Sequence, residues 1–296
     1  MKHDAFSKYH PVVNFIFFIG AMVFAVLIQH PAFLLAGLIC AGTYYLLLSG
    51  RRAVKTILWL IPFFVLLTAV NPLFNTRGSH ILFCLFGRPY TLEALCYGAA
   101  TGGIFVVMML WFGCYNAVMT GDKFTALLGN AIPSLSLLLV MVLRLVPDML
   151  RKTKQISGSR RSIGKGSAPN ANYREKLQEG MTVLSTLVSL ALEGSLVTAD
   201  SMRSRGYGCA RRSSFMIYRM KVGDWILLVL QLILIGFICF FLAFGSATAE
   251  FTPVLQIMPV TGKTLLSLIL YSVYLLIPTI THSKEVLVWH ISRSRI

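Results

Sequence analysis

Pro133-Ser-Leu-Ser-Leu-Leu-Leu-Val-Met-Val-Leu-Arg-Leu-Val-Pro147 opens a stretch, running to Arg212, around which the rest of the chain is arranged. It begins as an apolar helix and turns basic through Arg151-Lys-Thr-Lys154 and Arg160-Arg161. It then loosens in the Gly/Ser-rich Ser162-Ile-Gly-Lys-Gly-Ser-Ala-Pro-Asn170. From Glu175 the pattern is helical again. Leu177, Met181, Leu184, Val188 and Leu192 recur at three- and four-residue spacing, which marks one apolar face. Unbroken to Arg205, that helix would be about 46 Å long. Ser185, Ser189 and Ser195 fall among the apolar residues, and small side chains let helices approach closely. The stretch ends in Ala199-Asp-Ser-Met-Arg-Ser-Arg-Gly-Tyr-Gly208.

Composition sets this block in a membrane. Of 296 residues, 56% are hydrophobic and 13% charged, against about 45–50% and 25% in soluble domains. With a mean hydropathy of +0.72, the chain reads as an integral membrane protein. Its 27 Lys+Arg against 11 Asp+Glu give a net charge of +16. In a soluble protein that excess would suggest nucleic acid. Here it follows from basic loops on the cytoplasmic side, so the bilayer is the expected partner and nucleic acid is not. The six cysteines form no CxxC pair, and neither a disulfide framework nor a zinc site is expected. Lys2 and Lys8 precede an apolar run as in a signal peptide, but no small-residue cleavage site leads into a polar domain. The run is read as a first span.

Six runs are long enough to cross a bilayer: Val12–Gln29, Ala32–Leu48, Thr56–Val70 with its flanks, Ala94–Met119, Trp225–Phe244 and Thr264–Ile280. None holds Asp, Glu, Lys or Arg in its interior. His30-Pro31 between the first two is a reversal that no helix crosses easily. Arg51, Arg52 and Lys55 place the second loop in the cytoplasm, and with it both termini. The loop Asn71–Glu93 then lies outside, with turns at Gly78 and Gly87-Arg-Pro89 around an apolar hairpin at Ile81–Phe86. Between Arg144 and Lys221 stand 15 Lys/Arg and five Asp/Glu, so this region lies inside. Pro133–Pro147 and Met181–Leu196 are read as helices at the cytoplasmic interface, the latter because Glu193 and many Ser and Thr make a poor membrane core. The expected fold is all-α and polytopic, with about six spans plus long cytoplasmic-side helices. Residues 1–120 form a four-helix membrane part, 121–222 the cytoplasmic-face region and 223–296 a two-helix membrane part.

Ala199, Met202, Arg205, Gly206 and Tyr207 fit the pattern Ala-x-x-Met-x-x-Arg-Gly-Tyr. This segment resembles the second Ala-Arg-Gly signature of energy-coupling factor (ECF) transporter T components, the CbiQ-like membrane subunits of cobalt and vitamin importers. Tyr9-His10-Pro11 with Asn14 and Phe15, and Arg144-Leu-Val-Pro147, are similar to other parts of that family's pattern. The resemblance implies a scaffold that joins two ABC-type ATPases to a small substrate-binding membrane (S) subunit and has no catalytic activity or cofactor of its own. The family's first signature, Ala-x-x-x-Arg-Gly, falls here on Ser159, Ile163 and Gly164. Its arginine is absent, and either Arg160 or Arg161 takes over the contact or the contact is not arginine-based. Independently of the family, Gly206 can adopt a positive φ and close the helix, which leaves Arg205 on the last turn. A guanidinium there can dock bidentately on a carboxylate, or cap its own helix dipole.

Other chemistries find no support. Gly158…Gly164-Lys165-Gly166 resembles a P-loop with spacing one residue too long and no Ser or Thr after the lysine. His3, His10, His30, His80, His282 and His290 lie outside the span interiors, so no catalytic or metal-binding constellation is expected. Asn14, Asn116 and Gln231 are read as interhelical hydrogen-bonding groups. A self-contained channel or carrier would need a polar path that the spans lack. A membrane anchor recruiting another soluble protein through the basic block is the alternative reading.

Overall fold

The computed structural model describes residues 5–75, 81–85, 88–131, 133–166, 172–209, 218–245, 249–250, 256–257 and 261–293. The helices are α1 (Pro11–Leu27), α2 (Pro31–Ser49), α3 (Arg51–Phe74), α4 (Leu92–Val118), α5 (Gly121–Ala131), α6 (Pro133–Ser162), α7 (Tyr173–Ser204), α8 (Val222–Ala243) and α9 (Gly262–Arg293). Two short antiparallel ladders join them, β1 (Ile81–Leu85) with β2 (Arg88–Thr91) and β3 (Ala249–Glu250) with β4 (Gln256–Ile257). Leu85 pairs with Arg88, which forms the expected hairpin; Gly78 and Phe86 lie outside the described residues. The chain divides into two compact units, Met1–Phe124 with Tyr218–Ile296, and Thr125–Ile217.

Histidine and proline start the first unit's helices. His10 and His30 each accept a hydrogen bond at Nδ1, from the backbone N–H of Val12 and Ala32, both at 3.3 Å. Pro11 and Pro31 follow at the first helical position, where no N–H is needed. Asp224 at the start of α8 accepts from the backbone N–H of Lys221 at 2.9 Å and of His10 at 3.2 Å, so one buried carboxylate joins the starts of α1 and α8. Buried Lys123 donates to the Ser7 carbonyl at 2.6 Å, the Ser7 hydroxyl at 2.7 Å and the Val118 carbonyl at 2.9 Å. Its ammonium protons thus meet three oxygens, and they pin the short 3-10 turn Phe6–Lys8 to the end of α4. Lys8 also pairs with Glu285 of α9.

Above that seat the core is aromatic. Phe6, Phe17, Phe18, Tyr44, Trp111 and Tyr274 are fully buried, with edge-on pairs such as Phe17–Trp111 at 5.5 Å between centroids. The Tyr274 hydroxyl donates to the Phe17 carbonyl at 2.9 Å. Asn14 and Gln231 differ from expectation: both are fully buried, and neither amide finds a hydrogen-bond partner among the described residues. Asn116 is exposed. Helices α3 and α4 approach closely at Gly98, where a Cβ would lie 2.8 Å from the Thr68 carbonyl oxygen and 2.9 Å from the Asn71 Cβ.

In the second unit α6 and α7 contact each other, with Val183 as the buried residue of α7. α6 runs unbroken through Pro147, so the apolar opening and the basic continuation are one helix of about 45 Å. By length and composition six helices could cross a membrane: α2, α3, α4, α7, α8 and α9. Five of these are expected spans, and α1, an apolar helix of 17 residues, stands at the lower limit of length for the sixth. α7, expected at the interface, is also long and apolar enough by length and composition. The Ser and Thr residues that made α7 read as polar turn their hydroxyls onto their own helix. Thr182 bonds Gln178, Thr186 bonds Thr182 and Thr198 bonds Gly194, at 2.7–2.9 Å to carbonyl oxygens. That leaves an α7 surface with fewer unmet donors than its composition suggests.

Two expectations follow. Gly98→Leu forces α3 from α4 and destabilises by roughly 1–3 kcal/mol, visible as a lowered unfolding temperature in detergent. Gln231→Met, which removes an orphaned amide at similar volume, stabilises by about 1 kcal/mol in the same measurement.

Candidate functional site

The residues singled out by the sequence collect at the C-terminal ends of α6 and α7, and those ends share one construction. After Ser204, Arg205 caps α7 and Gly206 follows with φ +79°. The Gly206 N–H donates to the Arg203 carbonyl and the Tyr207 N–H to the Met202 carbonyl, both at 3.0 Å. This is a Schellman motif, in which a left-handed residue lets two amides turn back on the last helical carbonyls. After Ser162, Ile163 occupies the same place on α6 and Gly164 follows with φ +72°. The Gly164 N–H donates to Arg161 and the Lys165 N–H to Arg160, again both at 3.0 Å to carbonyl oxygens. Glycine adopts such a φ without the steric cost that a Cβ would bring.

Counting from each glycine, Ile163 stands where Arg205 stands, Arg160 where Met202 stands, Arg161 where Arg203 stands and Lys165 where Tyr207 stands. The Arg205 side chain is exposed, and its guanidinium makes no hydrogen bond or ion pair among the described residues. Ala199 is exposed and Met202 half-buried one turn before it, while Tyr207 is 45% exposed. On α6, Arg161 is exposed, but Arg160 is half-buried and donates through Nη2 to the Lys165 carbonyl at 3.3 Å. The Arg160 guanidinium therefore closes its own turn. Ile163 is 68% exposed at the tip. The sequence signal for this second cap was Gly164 directly after a basic helix end; the backbone match to Gly206 was not evident without coordinates.

Both ends carry positive charge where it suits the negative pole of a helix, Arg160 and Arg161 on α6 and Arg203 on α7. Gly158, the first glycine of the P-loop-like string, lies inside α6. Among the described residues no three His, Cys, Asp or Glu side chains gather to hold a metal ion. A cleft of about 510 Å³ opens between α3 and α4, lined by Leu67, Val70, Asn71, Phe74, Tyr97 and Thr101 among others, with one hydrogen bond of 3.3 Å from Asn71 to Thr101 across it.

The family model described as CbiQ, cobalt transport protein, matches residues 4–217. That is well over half of the 296 residues and includes both helix ends. No curated protein matches the chain. The chain belongs to the CbiQ cobalt transport protein family, the family of ECF transporter T components, and is a multi-pass membrane transport component.

Gly206→Ala places a Cβ in a left-handed conformation at a cost of about 1–2 kcal/mol. Amide exchange at Gly206 and Tyr207 is expected to speed by roughly tenfold, while Gly180→Ala, in open space inside α7, leaves those amides unchanged.

Proposed function

We propose that this chain is the transmembrane scaffold (T) subunit of an ECF-type ABC importer. The observation that carries the reading is the pair of long helices that finish in the same glycine-closed cap, one presenting an unengaged Arg205. Each end enters a groove on one of two ABC-type ATPase subunits, Ala199, Met202, Arg205, Gly206 and Tyr207 on α7, and Arg160, Arg161 and Gly164 on α6. A stiff helix about 45 Å long carries displacement of its tip along its length with little loss. ATP-driven closure of the two ATPases therefore shifts α6 and α7, and their apolar lengths pass that motion to a small substrate-binding membrane subunit. Exposed Leu184, Val188, Leu192 and Leu196 on α7 and Leu138, Val142 and Leu145 on α6 suit that transmitting role.

The substrate is bound by the partner subunit, in keeping with a family whose cargo is cobalt or a vitamin. The chain itself hydrolyses nothing and needs no cofactor. The basic excess between Arg144 and Lys221 supports a location of both caps and both termini on the cytoplasmic side of the cell membrane. Arg205 is the residue on which the contact turns, because a guanidinium offers a planar, bidentate donor set that lysine lacks.

The test is co-purification. Tagged protein extracted from its own membranes is expected to bring down ABC ATPases and one small membrane protein, identified by mass spectrometry. Arg205→Glu reduces ATPase recovery by roughly tenfold or more, as loss of one partner of a desolvated charged contact does. Intact wild-type protein that recovers no ATPase refutes the reading, and another soluble partner in its place establishes the anchor alternative.

A further inference from the structure

The two caps match in backbone and differ in what they hold out. α7 presents Arg205; α6, at the equivalent position, presents Ile163. None of the three basic residues around Ile163 stands at the cap position that Arg205 holds on α7. Arg160 stands one turn back, half-buried, with Nη2 on the Lys165 carbonyl. Its Nε is buried with no partner among the described residues, so the guanidinium is held against its own turn rather than extended. Arg161 is exposed and stands at the place that Arg203 holds on α7, two residues before the tip. Gly166 packs against it, where an added Cβ would lie 2.9 Å from the Arg161 Cα. Lys165 leaves the cap beyond the glycine, at the place Tyr207 holds on α7. What the cap position itself exposes is a β-branched apolar side chain, 68% exposed.

We infer that the α6 end docks through Ile163 inserted into an apolar socket on its ATPase, with acidic groups at the socket's edge facing Arg161 and Lys165. Arg160 is a positioning residue that holds the cap closed. The inference rests on the scaffold reading above and specifies the chemistry of one of its two contacts. A socket built around a carboxylate for an arginine would be left with a desolvated, unpaired charge against Ile163. An apolar socket gains from burying it. The two ATPase grooves that receive this chain are therefore chemically different, one reading charge and planarity, the other apolar shape.

The experiment uses the complex purified from its own membranes through a tag on this chain, immobilised, with the rate at which ATPase chains wash off as the readout. Three variants are compared with wild type: Ile163→Leu, Ile163→Gln and Ile163→Arg. Each is first checked for normal membrane yield and for unchanged amide protection at Gly164. Leu is expected to retain the wild-type rate, while Gln and Arg each speed dissociation by roughly tenfold or more. Slower dissociation for the Arg variant would show an acidic socket and overturn the inference. So would an unchanged rate for Gln, or equal losses in all three variants. Wild-type protein that recovers no ATPase is a separate result, which fails the scaffold reading itself.

Discussion

A single backbone constraint underlies the functional end of this protein: at two places a long helix stops because one residue is left-handed. With φ near +75° at Gly164 and Gly206, the chain reverses within two residues and its amides satisfy carbonyls that would otherwise point into space. The cap residue just before each glycine is thereby held at the tip with a defined direction. Neither Ile163 nor Arg205 needs a side-chain partner to be positioned. The helix and its cap do that, and the side chain remains free for another surface.

The other end of the problem is solved with few polar atoms. The bundle of residues Met1–Phe124 and Tyr218–Ile296 relies on packed rings, close glycine contacts and a small seat of buried polar groups. Lys123 and Asp224 are buried ionisable groups, which are costly unless met. Both are met, Lys123 by three oxygens and Asp224 by two backbone amides. Among the described residues Asn14 and Gln231 find no such partner. The bundle thus carries a cost at two amides within a core that is otherwise aromatic and aliphatic.

Much of this was legible in the residues. Apolar runs without charge gave the membrane class, because a bilayer selects on length and composition alone. His30-Pro31 marked a break between two helices, and Gly206 after Arg205 marked an end, since proline and glycine act through backbone geometry that local sequence determines. Four things were not legible. α1 and α7 sit on either side of a length and polarity boundary, and hydroxyls that bond within their own helix count as polar in any composition. α5 is short and carries both Asp122 and Lys123, so apolar length does not mark it. Asn14 and Gln231 looked like natural partners for other helices, and only three-dimensional packing decides whether a buried amide meets one. The back-folding of Arg160 depends on the cap that Gly164 makes, a contact between neighbours that spacing alone does not reveal.

The placement of charge has one more consequence. Ion pairs among the described residues include Lys8–Glu285 and Lys152–Asp148, while the segment from Arg144 to Lys221 holds ten more basic than acidic groups. Cohesion of the span bundle and the proposed attraction of acidic partners thus draw on different forces. Mobile ions screen exposed charges over about 10 Å at 0.1 M and leave buried rings and satisfied carbonyls almost untouched. Under the scaffold reading proposed above, ionic strength is a handle on assembly: it loosens contacts at Arg205 and the basic region while the membrane body stays folded.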